Sequence, residues 1–332
     1  MRRVETVAVA EDEDGLRLDR WFKRHYPALT HGRLEKMLRT GQVRLDGKRV
    51  RANARIAGGQ IIRVPPVPAD AGIRKNKSAP VSAGDAVAIR ESVLYRDDHL
   101  IAINKPPGLA VQGGTGTSRH VDAMLDALRF DRRDRPRLVH RLDKHTSGVL
   151  LIARDVSAAA HFAEAFRSKR ALKVYWALVA GNPRQEIGTI EAPIKKGGGG
   201  GGGGGGERVY TSREGKPATT NYMMVDRAGG KLAWLALSPE TGRTHQLRVH
   251  CAMIGNPILG DGKYGGKGAF PAGTEGISRK MHLHARWIRV FGMNGELIEV
   301  TAPLPEHMSA AWKFFEFDET TPPMPLAEVD GF

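Results

Sequence analysis

From Val93 onward the chain breaks into short apolar runs separated by turn residues, and this spacing constrains the fold more than any other feature. VLYRDDHLIAINKPPG reads as a hairpin, while VLLIAR, LKVYWALVAG, KLAWLALSP and LHARWIRVFG read as further strands, rich in residues that pack on a pleated surface. SAAAHFAEAFRS and HQLRVHCAMIG carry helical patterns, the second ending at Gly255. Many strands with few helices between them predict an α+β domain over residues 92–332, with a mixed, mainly antiparallel sheet and flanking helices. There is no dinucleotide fingerprint.

Residues 17–63 are a different chain in composition. They hold 13 Lys or Arg against three acids, a surplus of ten within a formal total of +15. Leu18, Trp21 and Phe22 have helical spacing, and Leu34, Met37 and Leu38 repeat it between Thr30 as cap and Gly41 as stop. Val43 and Leu45 alternate, Asp46-Gly47 signals a hairpin turn, Val50 resumes, and Ile62 and Val64 form a closing strand. A scaffold this small and this basic predicts phosphate contacts, with Arg33, Lys36, Arg39, Arg44, Lys48 and Arg49 as the candidates. The arrangement resembles the small α/β RNA-binding module found in ribosomal protein S-four, which implies an RNA-binding domain over residues 1–65.

Residues 66–91 are rich in Pro, Ala and Ser without a period and read as a linker. Ten glycines from Gly197 to Gly206 read as a flexible loop or a sequence peculiarity; without a following Gly-Lys-Ser/Thr they are no phosphate loop. Cys251 is the only cysteine, no apolar run approaches the roughly 20 residues of a membrane span, and the start lacks a long apolar core. These features predict a cytoplasmic protein with no membrane partner, acting as a monomer.

Chemistry concentrates in three stretches. RLVHRLDKHTSGVLLIAR drives a charged cluster into a strand, with Asp143 as the lone carboxylate of HRLDKH. Alternation on LKVYWALVAG sets Tyr175, Ala177 and Val179 on one face. In TGRTHQLRVH, His245 and Arg248 lie about one helical turn apart. Residue by residue the alternatives stay open: Asp143 as a turn cap, Tyr175 as a core residue, Arg248 as the partner of a structural carboxylate. His245, His250, His282 and His284 invite a metal site, but no acid or cysteine set completes it, so surface or RNA-facing histidines are expected and no metal.

HRLDKHTSG matches in full the HRLDxxTSG motif of the ribosomal RNA pseudouridine synthases, and the other two stretches resemble that family's later motifs, over about Val93 to Pro303. With the basic module attached, the chain resembles the bacterial subgroup that modifies uridines of large-subunit ribosomal RNA. The resemblance implies the pseudouridine synthase fold, Asp143 as the essential aspartate, Tyr175 as the active-site tyrosine and Arg248 as the arginine paired with the aspartate. It also implies that Arg141, with His140 beside it, meets the RNA as the target base leaves the stack. The reaction cleaves the bond from ribose to ring nitrogen, turns the uracil and rejoins the sugar to the ring's fifth carbon, so no atom is gained or lost and no cofactor is needed. Glycoside hydrolases use two carboxylates because a leaving group or a water must be served. One ionised aspartate suffices here, favoured in that state by a nearby cation. An RNA-binding assembly factor without catalysis and a uracil-releasing N-glycosylase are the competing readings.

Overall fold

The computed structural model describes residues 4–26, 29–67, 81–113, 117–197 and 208–323. The chain divides after residue 80 into two compact units. The first contains β1 (Glu5–Ala8), α1 (Leu18–His25), α2 (His31–Arg39), β2 (Arg44–Leu45) and β3 (Ile61–Val64), its strands antiparallel in the order β1-β3-β2. Leu18, Trp21 and Phe22 of α1 and Leu34, Met37 and Leu38 of α2 bury against Val43, Ile62 and Val64. Asp46 (φ 48°) and Gly47 (φ 74°) make the expected tight turn, bridging Leu45 to Lys48. Val50, however, does not resume a strand. β2 instead pairs with β3, and the Asp46 carboxylate secures that register by accepting the Ile61 N–H at 2.8 Å.

The second unit runs through α3 (Ala83–Glu91), β4 (Val93–Arg96), β5 (Leu100–Lys105), α4 (Val121–Met124), β6 (Arg137–Leu138), β7 (Ser147–Ala153), α5 (Val156–Arg167) and β8 (Leu172–Ala180). It continues with β9 (Ile187–Glu191), β10 (Ile194–Lys196), β11 (Val209–Thr211), β12 (Thr219–Ala228), β13 (Leu232–Pro239), α6 (Gln246–Met253), β14 (Leu283–Phe291), β15 (Leu297–Thr301) and α7 (Glu306–Phe314). Among the described residues ten strands form one sheet, along the path β4-β5-β7-β14-β8-β13-β12-β9, with β15 beside β14 and β6 beside β7. β7 and β14 pair in parallel; the other described pairs are antiparallel. All seven residues of β7 are buried, because Val149 and Leu151 face α5 while Leu150 and Ile152 face α3 and α4. Farther along, Val174, Trp176 and Trp234 pack under α7, and Val179 and Leu235 pack under α6.

The predicted linker is only partly one. Residues 68–80 lie outside the described residues, but residues 83–91 form α3, whose N-terminus is capped by Ser82 Oγ accepting the Asp85 N–H at 3.0 Å. Only Ile89 of this helix is deeply buried, which is why no apolar period announces it. Of the glycine run, residues 198–206 lie outside the described residues; it falls between β10 and β11. Among the described residues no helix is long and apolar enough to cross a membrane.

Candidate active site

The loop between β6 and β7 carries the charged cluster to the edge of a small cavity. Gly148 fixes where that loop must end. Its φ is +107°, and a Cβ there would lie 2.2 Å from the Ala285 carbonyl oxygen, so only glycine lets β7 approach β14. Beside it, His284 is fully buried: its Nε2 donates to the Ala302 carbonyl at 3.2 Å, which leaves Nδ1 to accept from the Ser147 hydroxyl at 2.8 Å. His282 is equally buried, packed edge-on against His307, and His250 lies between Thr220 and the Ala192 carbonyl. The expectation that His250, His282 and His284 face solvent or RNA is therefore overturned: a His-x-His strand pattern sets a shared face, and here that face is the core.

The loop is held from below. Lys105 is fully buried, and its ammonium donates to the carbonyls of Pro106 (2.9 Å), Leu109 (2.9 Å) and Lys144 (3.2 Å). Burial lowers its pKa to about 7 against the opposing charge of Asp143. His140 turns inward, stacking on Phe166 at 4.3 Å and accepting the Leu151 N–H at Nε2 (2.8 Å). Burial, helped by the Lys173 charge, takes its pKa down to about 3, so the ring is neutral at physiological pH. Arg141 points the other way, exposed, with no hydrogen bond or ion pair among the described residues.

Asp143, Tyr175, Leu283, His245 and Arg248 come together around a cavity of about 100 Å³. It opens into two larger grooves of about 1190 and 760 Å³, and Arg141 and Asp143 line all three. Asp143 Oδ2 lies 3.9 Å from both Arg248 Nη1 and His245 Nε2. Arg248, itself buried, has a tighter partner: Asp261 takes a fork of two 2.7 Å bonds from Nε and Nη2. Burial pulls the Arg248 pKa down, but the bonds and charge of Asp261, with Asp143 behind, leave it above its ordinary value. Arg248 is thus both things its sequence position allowed, the partner of a structural carboxylate and a fixed cation beside Asp143. His245 enters α6 in the left-handed region (φ 55°), a conformation rare outside glycine, and its Nδ1 meets the Tyr264 hydroxyl at 2.6 Å. Burial and the charge of Asp143 push the Tyr175 phenol well above its usual range, so it stays protonated.

Sequence reasoning missed Lys105, Asp261 and Tyr264, and noted His245 as a helical neighbour of Arg248 and a surface or RNA-facing histidine without giving it a part in the site. A lysine ending the apolar run LIAINK was a readable signal; Asp261 and Tyr264, in the glycine-rich stretch GDGKYGG, gave none. Of the six basic candidates in the first unit, Arg33, Lys36 and Arg39 lie on the exposed side of α2, and Arg44, Lys48 and Arg49 are exposed in and after β2.

Residues 99–253 match the family model described as RNA pseudouridylate synthase. The ribosomal large subunit pseudouridine synthase C of Vibrio cholerae is 35% identical over 314 residues, covering 93% of this chain and 96% of its own. The protein of the same name from Rickettsia conorii is 37% identical over 297 residues, covering 85% and 92%. Among solved structures, human RNA pseudouridylate synthase domain containing 4 superposes with a TM-score of 0.59 at 27% identity, over 70% of this chain and 96% of that one. With that motif-bearing cavity and relatives matched along nearly their whole length, the chain belongs to the RNA pseudouridylate synthase family and is a pseudouridine synthase.

Proposed function

We propose that this enzyme isomerises uridine to pseudouridine in large-subunit ribosomal RNA, with Asp143 as the group that attacks the sugar or removes its 2′ proton. The observation that carries the reading is that, among the described residues, Asp143 is the one carboxylate lining the small cavity, where it faces Tyr175 and two basic side chains held in place by other partners. The names of the relatives supply the RNA class.

A glycosidic bond inside a helix is out of reach, so the nucleotide leaves the stack at a cost of a few kcal/mol. Arg141, exposed where the cavity and both grooves meet, is placed to fill the gap by stacking and phosphate contact. The uracil then lies against Tyr175. A neutral phenol is a poor base, so stacking is the role we assign it, ahead of removing the proton from the fifth carbon. Arg248, anchored by Asp261, keeps a fixed positive charge at Asp143, and a uracil seated in the cavity would displace water that could otherwise trap the sugar. His140 supports the loop from within and lends Arg141 its position. Residues 1–65 act as an S-four-like RNA-binding module in which Arg33, Lys36, Arg39, Arg44, Lys48 and Arg49 meet phosphates, supplying affinity and site choice.

Asp143→Asn keeps shape and one acceptor but can neither attack nor take a proton, so activity should fall by more than about 10²- to 10⁴-fold, the range for losing a general acid or base. RNA tritiated at the fifth carbon of uracil reads this directly, because the new bond releases the label to water. Near-normal release by the variant would refute the role of Asp143. Free uracil from the wild type would make the protein a glycosylase, and binding without release would make it an assembly factor.

A further inference from the structure

Lys173 stands on β8 two residues before Tyr175, so it projects from the same face of the strand, roughly 7 Å along. It lines the groove of about 760 Å³ together with Arg141, Asp143 and Tyr175. The stacked pair of His140 and Phe166 forms a wall beside it, with Nζ 5.9 Å from the Phe166 ring centre. Enclosure lowers the pKa of the amine to about 8. Yet among the described residues no carboxylate or hydrogen-bond acceptor meets this ammonium. The acids near it are engaged elsewhere: Glu240 with Lys169 at 3.1 Å, and Asp143 between Arg248 and His245.

Lys173 is half-buried, and among the described residues its three donors meet no acceptor, so they are turned to whatever fills the groove; a methionine would fill the same space without the cost of partly desolvating a charge. Arg141 and Arg243 line the same groove, so the ligand that fits is an anion with several acceptor oxygens on a strand long enough to follow it. We propose that Lys173 binds a backbone phosphate of the substrate RNA next to the flipped uridine, and that the groove it lines is the track of that strand. This rests on reading the adjoining cavity as the uridine site.

The test uses the full chain and a synthetic fragment of large-subunit ribosomal RNA that the wild type binds, with each phosphate in turn replaced by an uncharged methylphosphonate. Wild type should lose roughly ten- to a hundredfold in affinity at one phosphate beside the target uridine. Lys173→Met should show the same loss on unmodified RNA and no further loss when that phosphate is neutral. Its slope of log affinity against log salt should be shallower by about 0.7, while kcat at saturating RNA is kept. Additive effects at every phosphate would overturn the proposal, as would a fall in kcat at unchanged affinity. If Lys173→Met does not fold, the scan on wild type still decides: no position costing more than about twofold means no such contact. Coupling at one phosphate without pseudouridine formation would leave Lys173 as a phosphate ligand and remove the functional reading instead.

Discussion

Replacing Asp261 by asparagine separates what holds Arg248 from what Arg248 does. The Asp261 carboxylate is 2% exposed and takes both 2.7 Å bonds of the guanidinium fork. Asparagine keeps the shape but removes the charge and turns one acceptor into a donor facing an N–H. Removing one partner of a buried pair costs about 3–5 kcal/mol, because the other charge is left without compensation. For a unit of this size that corresponds to a melting temperature lower by roughly 6–20 °C. Among the described residues the freed arginine has the Asp143 carboxylate 3.9 Å away, and closing that distance ties up the oxygen proposed to react. Tritium release should therefore fall as well. The double variant Asp261→Asn with Arg248→Met removes the orphaned cation, so thermal denaturation should show most of the lost stability restored while activity stays low. A melting temperature for Asp261→Asn within about 2 °C of wild type would refute this account, as would a double variant less stable than the single one.

Acid should weaken the fold through His282 and His284, both fully buried and held neutral, with burial the leading cause of pKa values of about 4 and about 3. The unfolded chain takes up these protons near pH 6.5, so the stability is intact above that pH and lost progressively below it, down to the folded values; at pH 5 the loss is about 2 kcal/mol each. Urea midpoints that do not move between pH 7 and 5 would contradict it. Gly148→Ala places a Cβ 2.2 Å from the Ala285 oxygen at φ +107°, and should cost more than about 4 kcal/mol or abolish soluble expression; a normal melt would show that β7 and β14 separate easily. Removing residues 1–80 should flatten the salt dependence of RNA binding by up to about 0.9 per phosphate lost, leaving turnover on a short saturating RNA; complete inactivity of a folded truncation would assign the first unit a part in the chemistry.

How far the fold was legible depended on burial. β5, β7, β8, β13 and β14 are the strands buried along most of their length, and their largely apolar, β-branched and aromatic runs stood out in the sequence. β9 and β15 bury alternate or single residues over five positions, β10 and β11 have three residues each, and α3 buries one; none writes a period long enough to read. The parallel pairing of β7 with β14 joins segments more than a hundred residues apart, and its one local trace is Gly148, which sequence reading took only as part of a motif.

The site divides along a similar line. Asp143, Tyr175 and Arg248 each had a plain structural reading as well, and only the match of HRLDKHTSG and the two later stretches to family motifs singled them out. What positions them is of another kind. Lys105 acts on three backbone carbonyls, and carbonyls carry no residue identity, so nothing in the side chains of Pro106, Leu109 and Lys144 marks them as its acceptors. Asp261 meets Arg248 across 13 positions of chain, a separation that spacing on one helix cannot reveal. His140 shows the converse: an imidazole within a cluster of charges looks like a ligand for RNA, yet one backbone N–H and one phenylalanine ring turn it inward. Motif resemblance therefore points to the groups proposed to do chemistry, while their aim is set by backbone atoms and by partners the fold brings in from far along the chain. The same reasoning gives Lys173 its interest, since it is a cationic side chain lining the adjoining groove for which, among the described residues, a ring face and no hydrogen-bond acceptor is the partner.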